Sequence, residues 1–256
     1  MQNNITEIFS RNVGLITEKE QALLANTCIA IAGVGGDGGL LAERLVRFGI
    51  GKLILADPEI FEMANLNRQF AANKNYMGKN KAVAVAMELL LINPNLKVNV
   101  YTDGITKENV KEIVQEANII VDELEYTLPE LSVMLHREAR KNNKHVFMGA
   151  NIGWGASMFC FAPGGKTFEE HFSYDEKRKT IDPLAYLKKV PSYLKGEIAE
   201  NVLSGKMPMP ALASSVSLVA SVIASEVIFF VTGKREPVTM PHFLFIDLFE
   251  LSINKS

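Results

Sequence analysis

Cysteine is scarce in this sequence, with only Cys28 and Cys160 among 256 residues. Two cysteines cannot build a disulfide framework or supply the four thiolates of a Cys₄ zinc site. We therefore expect a reduced, cytoplasmic setting and no zinc. The four histidines are scattered, without the spacing of metal ligands, and predict no other transition-metal centre.

An excess of positive charge is also missing, because 27 Lys and Arg residues face 29 Asp and Glu residues, for a formal net charge of −2. Nucleic acids and anionic membranes attract clustered cations, so neither is an expected partner. The first residues, MQNNITEIFSRN, lack the basic-then-apolar pattern of a secretory signal. The longest apolar stretch, 211–231, contains several serines and Glu226, which favours a buried helix over a membrane span.

Hydrophobic residues make up 48% of the chain, enough for one large core. Apolar runs alternate with helical patterns, which predicts an α/β fold: a Rossmann-like, mostly parallel sheet with helices on both faces, plus antiparallel C-terminal strands. We expect a single domain, with N-terminal helices in 1–26, the Rossmann-like core in 27–150, and a crossover with a C-terminal helix and strands in 151–256. Helices are predicted over 5–9, 17–25, 40–48, 81–93, 107–115, 128–142 and 211–231, and strands over 28–32, 53–56, 97–101, 118–121, 145–148, 156–161 and 243–246.

A glycine-rich turn, GVGGDGG, joins the first predicted strand to a helix. Gly33, Gly35 and Gly36 let the backbone approach phosphate oxygens, and the free N–H groups of the helix start point toward them. Asp57 ends the next strand, where a carboxylate accepts the hydroxyls of a ribose. The alternative is a tight turn with a structural role only. We expect Asp37, inside the turn, to point outward at the helix N-terminus, because it would repel a phosphate.

Polar residues that suit a triphosphate follow this turn. Arg68 offers a planar guanidinium and Lys81 a point charge, while Asn65 and Gln69 can orient a phosphate by hydrogen bonds. Asp122 ends a later strand at the same sheet edge, where it could hold Mg²⁺ or position the α-phosphate. Each has a simpler alternative, a solvated surface charge for the two cations and a loop cap for Asp122. Together they favour a triphosphate site.

In order along the chain, GVGGDGG, Asp57, NLNRQ (65–69), GKNKA with Lys81, and VDELE with Asp122 resemble the ThiF/MoeB/ubiquitin-activating superfamily. Ser10–Asn12 resembles its N-terminal arginine motif. The resemblance covers about residues 8–150, and more weakly 211–247. It implies an adenylyltransferase that uses ATP and Mg²⁺ to activate a carboxylate, often the C-terminus of a small ubiquitin-like carrier protein or a peptide, with release of pyrophosphate.

The resemblance also implies roles for single residues. By this resemblance, the nucleotide is contacted by Gly33, Gly35 and Gly36, and its ribose is bound by Asp57. The phosphates are held by Asn65, Arg68, Gln69 and Lys81, while Asp122 holds Mg²⁺ or the reacting centre. Arg11 reaches the γ-phosphate of the partner subunit's ATP, so a homodimer is implied.

Departures from the family pattern leave other functions open. The chain has no CxxC pairs and no cysteine in the crossover to receive an acyl group, and Glu125 stands where the family often has a second acid. Cys28 and Cys160 fall in predicted strands, where a thiol is buried and inert. The alternatives are a non-catalytic ATP-binding scaffold or sensor, and an enzyme like the tRNA threonylcarbamoyl-adenosine dehydratases. Oxidoreduction with NAD is disfavoured by NLNRQ.

Overall fold

The computed structural model describes residues 7–187, 189–204 and 206–255, which form a mixed sheet of eight strands flanked by helices. The strands are β1 (Cys28–Ala32), β2 (Lys52–Ala56), β3 (Lys97–Tyr101), β4 (Ile119–Asp122), β5 (Val146–Ile152), β6 (Gly155–Phe161), β7 (Leu244–Asp247) and β8 (Ser252–Lys255). The helices are α1 (Glu18–Ala25), α2 (Gly36–Phe48), α3 (Lys81–Ile92), α4 (Val110–Glu116), α5 (Pro129–Lys141), α6 (Phe168–Phe172), α7 (Glu197–Leu203) and α8 (Ala213–Thr232). Short 3₁₀ segments lie at Ser10–Asn12, Met63–Asn65 and Pro183–Tyr186.

The strand order is β3-β2-β1-β4-β5-β6-β7-β8. The first five strands in this order are parallel. All residues of β1 are buried, as expected for a central strand covered on both faces. Because the chain continues from β1 to β2 on one side and later reaches β4 on the other, β1 ends at a topological switch point. Open α/β sheets bind ligands there, beyond the carboxyl ends of the strands.

The antiparallel extension begins with a β5–β6 hairpin, whose register runs from Val146 opposite Phe161 to Ile152 opposite Gly155. Gly153 makes the turn with φ +58°. β7 and β8 continue the antiparallel pairing, so the predicted fold class is confirmed. The sequence did not predict β8, because Ser252–Lys255 is short, polar and largely exposed.

Helices cover both faces of the sheet. One face packs against α1, α2, α3 and α8, around residues such as Leu45 and Ile223. The other packs against α4, α5 and α6, around Leu135 and Phe172. Among the described helices, α8 alone is long and apolar enough by composition to span a membrane, with a mean hydropathy of 2.0, and half of that stretch is buried. Its contacts with α2, β5 and β6 make it a core helix, as the sequence predicted.

Helix ends follow their local sequence signals. At the start of α1, Thr17 Oγ1 accepts the Glu20 N–H at 3.3 Å and Glu20 Oε2 accepts the Thr17 N–H at 2.7 Å, the predicted capping box. Gly233 ends α8 with φ +68°, as a C-cap. Part of the helix predicted over 5–9 lies outside the described residues. The other predicted elements differ from the structure mainly at their ends.

Candidate nucleotide site

The glycine turn lies at the switch point, between the end of β1 and the start of α2. Gly33 has φ +88°, and a Cβ there would lie 2.3 Å from the Glu123 carbonyl oxygen. A Cβ on Gly38 would lie 1.9 Å from the Gly33 carbonyl oxygen. Only glycine fits at these two positions, because the backbone after β4 crowds Gly33 and the backbone of the turn crowds Gly38. Backbone N–H groups of the helix start are thereby placed at the sheet edge.

Asp57 follows β2 and connects the glycine turn to the next loop. Its Oδ2 accepts the Val34 N–H and its Oδ1 accepts the Glu59 N–H, both at 2.8 Å. The side chain is buried, and this burial raises the pKa of the carboxyl group. Each carboxylate oxygen has a second lone pair for a further hydrogen bond. Binding of ribose by Asp57 stays a prediction.

A cavity of about 430 Å³ opens beside the turn. This volume is in the range of small-molecule and cofactor sites. The cavity brings together the four side chains that the sequence predicted to hold phosphates: Asn65, Arg68, Gln69 and Lys81. Its other lining residues are Pro58, Glu59, Ile60, Glu62 and Glu125.

Arg68 lies where the cavity meets the glycine turn. Its Nη1 donates to the Ala64 carbonyl oxygen at 3.1 Å and to Asn67 Oδ1 at 2.9 Å. Its Nε lies 3.9 Å from where a Cβ on Gly36 would be. A guanidinium beside free helix N–H groups suits a phosphate, because both donate hydrogen bonds to oxyanions.

Lys81 is the first residue of α3 and is only 4% exposed. Its Nζ lies 2.6 Å from Glu59 Oε2, and the Glu59 side chain is 55% exposed. A buried ammonium group needs an anionic partner. Lys81 is therefore not the solvated surface charge of the simpler alternative, and its exposed partner can give way to a phosphate.

The polar residues Asn65 and Gln69 differ in how they are held. Asn65 Oδ1 accepts the Glu62 N–H at 2.9 Å, which fixes the loop that carries Arg68. Gln69 Nε2 lies 3.5 Å from where a Cβ on Gly35 would be, so this amide borders the turn. Gln69 Oε1 is buried without a hydrogen-bond partner. Gly35 and Gly36 thus lie against the predicted phosphate-binding residues, although neither lines the cavity itself.

Asp122 lies away from the cavity lining. It is fully buried, with Oδ2 3.0 Å from His136 Nε2 and Oδ1 accepting the Leu124 N–H at 3.1 Å. This is the position of a loop cap, the simpler alternative. The predicted role of Asp122 as a Mg²⁺ ligand or at the reacting centre gains no support from its geometry. Glu125 is the acid from this loop that lines the cavity, and its burial and the charge of Glu59 raise its pKa.

Asp37 does not point outward, so that prediction was wrong. The residue is 8% exposed, and its Oδ2 accepts a hydrogen bond from Asn151 Nδ2 at 2.8 Å. Burial raises the pKa of its carboxyl group to about 7. The first turn of α2 faces β5, and no local pattern announces this contact because Asn151 lies 114 residues further along the chain.

The remaining predicted residues lie outside the cavity lining. Arg11 is exposed in the 3₁₀ segment Ser10–Asn12. Cys28 and Cys160 are both buried; burial raises the pKa of Cys28 to about 11 and also raises that of Cys160. Both thiols are thus buried, as predicted, and that neither reacts stays a prediction. Over the described ranges, no group of three or more His, Cys, Asp or Glu residues is placed to hold a metal ion.

Glu59, Glu62 and Glu125 are the charged cavity residues that sequence reasoning did not assign to the site. A usable signal was present for two of them, since Glu59 and Glu62 follow Asp57 within one loop of the switch point. Glu125 stood in the sequence only as a departure from the family pattern. Its place in the cavity depends on how the chain leaves β4, which no local pattern specifies.

Related proteins were found both by sequence and by structure. The tRNA threonylcarbamoyladenosine dehydratase of Haemophilus influenzae is 31% identical over 183 residues, 71% of this chain and 64% of that protein. Among solved structures, PaaA has a TM-score of 0.75 at 20% identity and covers 98% of this chain and 82% of its own. Escherichia coli MccB in its ATP complex has a TM-score of 0.71 at 21% identity, and the match covers 93% of this chain and 64% of the MccB chain. The MccB complex with MccA-N7isoASN has a TM-score of 0.73 at 23% identity, and the match covers 93% of this chain and 66% of the MccB chain.

This chain thus spans just under two-thirds of that dehydratase, and the likenesses to solved structures establish the fold. A family model, described as the ThiF family, matches residues 9–255, nearly the whole chain. The chain belongs to the ThiF family.

Proposed function

We propose that this protein is an adenylyltransferase of the cytoplasm. It uses ATP to activate a carboxylate at the C-terminus of a small carrier protein or a peptide. A carboxylate oxygen attacks the α-phosphorus, the bond from that phosphorus to the bridging oxygen breaks, and pyrophosphate leaves. The product is an acyl-adenylate, which passes to a nucleophile outside this chain, since both thiols of the chain are buried.

One observation carries this proposal: Asn65, Arg68, Gln69 and Lys81 line one cavity beside a glycine turn at the switch point. Two cations and two amides at a helix N-terminus suit a chain of phosphates better than a nicotinamide. The solved complex of the related fold MccB with ATP supports the choice of nucleotide. The MccB complex named with MccA-N7isoASN supports a peptide as the acyl donor.

The residues act by placement and charge. Arg68 and the turn N–H groups face the position where charge develops on the α-phosphate, and Lys81 neutralises the departing pyrophosphate. Asn65 and Gln69 orient the phosphate chain so that the carboxylate meets the phosphorus in line. Gly33, Gly35 and Gly36 form the floor of the site, and Asp57 takes the ribose.

Magnesium fits the donor set of the cavity. Glu59, Glu62 and Glu125 line it without being grouped to hold a metal by themselves, and Mg²⁺ binds through one or two carboxylates together with substrate phosphates rather than in a dedicated all-protein site. Glu125 replaces Asp122 as the residue that we assign to the ion, because Asp122 is hydrogen-bonded to His136. Bound there, Mg²⁺ supplies charge neutralisation at the phosphates.

A homodimer is part of the proposal. Arg11 is exposed and is not part of its own chain's cavity lining. An arginine in that position is free to reach the γ-phosphate bound by a partner subunit. The test is an Arg11→Ala variant. If it binds ATP, dimerises and turns over as the wild type does, Arg11 has no role in the site.

Exchange of labelled pyrophosphate into ATP tests the main proposal. The protein is incubated with ATP, Mg²⁺ and a panel of carboxylates: peptides with free C-termini and carrier proteins ending in Gly-Gly. We expect exchange only with an accepted carboxylate, and a fall of about 10²–10³-fold in Arg68→Ala. Tight ATP binding without exchange for any member of the panel would favour a non-catalytic scaffold or sensor.

The similarity to the Haemophilus dehydratase favours a second candidate, a tRNA-directed enzyme that also activates a carboxylate with ATP. The net charge of −2 and the absence of a basic run oppose it, since RNA phosphates need clustered Lys and Arg. Retention of tRNA on the immobilised protein at low salt distinguishes the two. Weak retention there would eliminate the tRNA candidate.

A further inference from the structure

Another cavity lies at the edge of the sheet opposite the nucleotide cavity. Val146, the first residue of β5, and Phe161, the last residue of β6, are paired in the sheet and both line this cavity. The proposed nucleotide site lies beyond the carboxyl ends of the parallel strands, so the two cavities are separate. The volume here is about 50 Å³, which suits a small chemical group rather than a nucleotide.

Cationic side chains from three segments border this cavity. Arg140 lies in the last turn of α5, Lys144 in the turn that follows α5, and Lys166 in the loop between β6 and α6. Arg140 Nη1 donates to the Gly165 carbonyl oxygen at 2.9 Å, which holds this loop against the end of α5. Arg140, Lys144 and Lys166 are called the cationic rim.

The cationic rim has no carboxylate bound to it. Among the ion pairs of the described residues, none involves a side chain of the rim. Arg137, which also lines the cavity, is instead neutralised by Glu169 at 2.8 Å and Glu176 at 2.9 Å. Lys144 and Lys166 are each half-buried. A partly desolvated cation without a partner favours an anion from outside the chain.

Glu170 is the carboxylate that could compete for the rim. Hydrogen bonds from Thr167 lower its pKa, and the charges of Arg140 and Lys166 lower it further. Its Oε2 accepts the Thr167 N–H at 2.8 Å in the capping box of α6, so this carboxylate is held at the helix start. One carboxylate beside three cations leaves the rim with an excess of positive charge.

Aromatic side chains form the wall behind the rim. Phe161 and Phe168 line the cavity, and both are buried. Charges attract more strongly beside such apolar groups than in bulk water, because the local dielectric constant is lower. An anion that enters the cavity is therefore held more tightly than it would be by the same cations on an open surface.

We propose that the cationic rim binds a phosphate group with two negative charges, either a free phosphate ion or the monoester end of a small molecule. The remaining N–H groups of Arg140 and the two ammonium groups match the several oxygens of a tetrahedral dianion. A carboxylate has one charge and two oxygens, and it would leave part of the rim unpaired. This site lies outside the proposed adenylation reaction.

Methyl phosphate, inorganic phosphate and dimethyl phosphate are the probes that test this site. Their dissociation constants are measured by calorimetry at about pH 8, above the second phosphate pKa of about 6, with a non-hydrolysable ATP analogue occupying the nucleotide cavity. We expect both dianions to bind in the millimolar range or more tightly. Dimethyl phosphate carries one charge, like the backbone of a nucleic acid, and should bind about tenfold more weakly. The tighter of the two dianions identifies the source, ester or free ion.

Lys144→Gln and Lys166→Gln each remove one cation of the rim. Both variants should bind the dianions about tenfold more weakly, as expected for loss of one charged donor. Lys141→Gln is the matched control, because Lys141 also belongs to the end of α5 but pairs with Glu138 and does not line the cavity. It should bind as the wild type does. Unchanged melting temperatures show that the variants are folded.

Three results would overturn the proposal: no saturable binding of either dianion, equally tight binding of dimethyl phosphate, or unchanged binding in both lysine variants of the rim. Repeating the titration without nucleotide in Arg68→Ala separates the two cavities. Binding that Arg68→Ala abolishes and Lys144→Gln retains belongs to the nucleotide cavity and counts against the rim. Dianion binding at the rim without pyrophosphate exchange supports this site and refutes the adenylation, and exchange without dianion binding does the reverse.

Discussion

Two regions of the molecule differ in the side chains that they bury. Polar and charged residues lie beyond the carboxyl ends of β1 and β2, whereas aromatic rings cluster on the antiparallel half of the sheet. Beyond the carboxyl ends of β1 and β2, buried polar residues such as Asp57 and Lys81 are held by hydrogen bonds and ion pairs. On the antiparallel half, Phe159, Phe161 and Phe172 pack ring against ring, with centroids about 6 Å apart. One region is arranged to bind and the other to fold.

This difference indicates which region contributes to ligand binding and which to the stability of the fold. Buried charges cost free energy unless they are paired, so the nucleotide region is expensive to fold without its ligand. Apolar burial gains free energy in proportion to area, and the aromatic region supplies it. Changes in the first region should affect binding more than folding, and changes in the second the reverse.

Phe172→Ala should produce the largest effect, on stability. Phe172 is fully buried, with ring centroids 4.6 Å from Phe168 and 4.5 Å from Tyr186. Removing such a ring leaves a cavity and costs about 3–5 kcal/mol. Urea unfolding measures the loss, and activity assayed where the variant is still folded should be near normal. Loss of activity in the folded variant would show that the aromatic region belongs to the site.

Arg68→Ala should reduce pyrophosphate exchange by about 10²–10³-fold, the usual cost of removing one donor to developing charge. Its stability should change little, since the side chain is only partly buried and its hydrogen bonds are local. Arg47→Ala is the matched control, because Arg47 is an exposed arginine paired with Glu43. A large fall in melting temperature for Arg68→Ala alone would mean that the arginine is structural.

Glu125→Gln and Asp122→Asn separate two acids of one loop. Glu125 lines the cavity, so its change should lower exchange about 10–100-fold and raise the Mg²⁺ concentration needed, as for loss of one metal-positioning residue. Asp122 caps the loop and contacts His136, so its change should lower the melting temperature while the Mg²⁺ dependence stays as in the wild type. The reverse pattern would restore the role that the sequence predicted for Asp122.

Asp37 gives the nucleotide region a pH dependence of stability. Burial raises the pKa of Asp37 from 3.8 to about 7, so the folded protein holds this proton more tightly than the unfolded chain does. Its favourable contribution is complete below pH 3.8 and is lost as the pH rises through about 7. Melting temperatures should fall from pH 5 to pH 8, and Asp37→Asn should flatten this part of the curve. An unchanged slope in Asp37→Asn would assign the titration elsewhere.

The sequence predicted those parts of the molecule that depend on local order along the chain. The glycine turn, the NLNRQ loop and Lys81 follow one another at one sheet edge, so their meeting in one cavity needed only the parallel topology. The partner of Asp37 lies 114 residues away, and the burial of Asp122 depends on His136 in α5. Such contacts come from how helices pack on the sheet, which a local pattern does not encode. β8 was missed because it is polar and gains its pairing only from β7.

Cys160→Ala should have the smallest effect. Cys160 is fully buried in β6, and burial raises the pKa of its thiol, so we expect it to act neither as a nucleophile nor as an acyl acceptor. The substitution should cost about 1 kcal/mol in stability, as for a typical point change, and leave pyrophosphate exchange and acyl-adenylate release unchanged. Cys28→Ala is the companion variant, because burial also raises the pKa of the Cys28 thiol, to about 11. A covalent adduct trapped on either cysteine during turnover would contradict transfer to an external nucleophile and place the aromatic half of the sheet in the reaction.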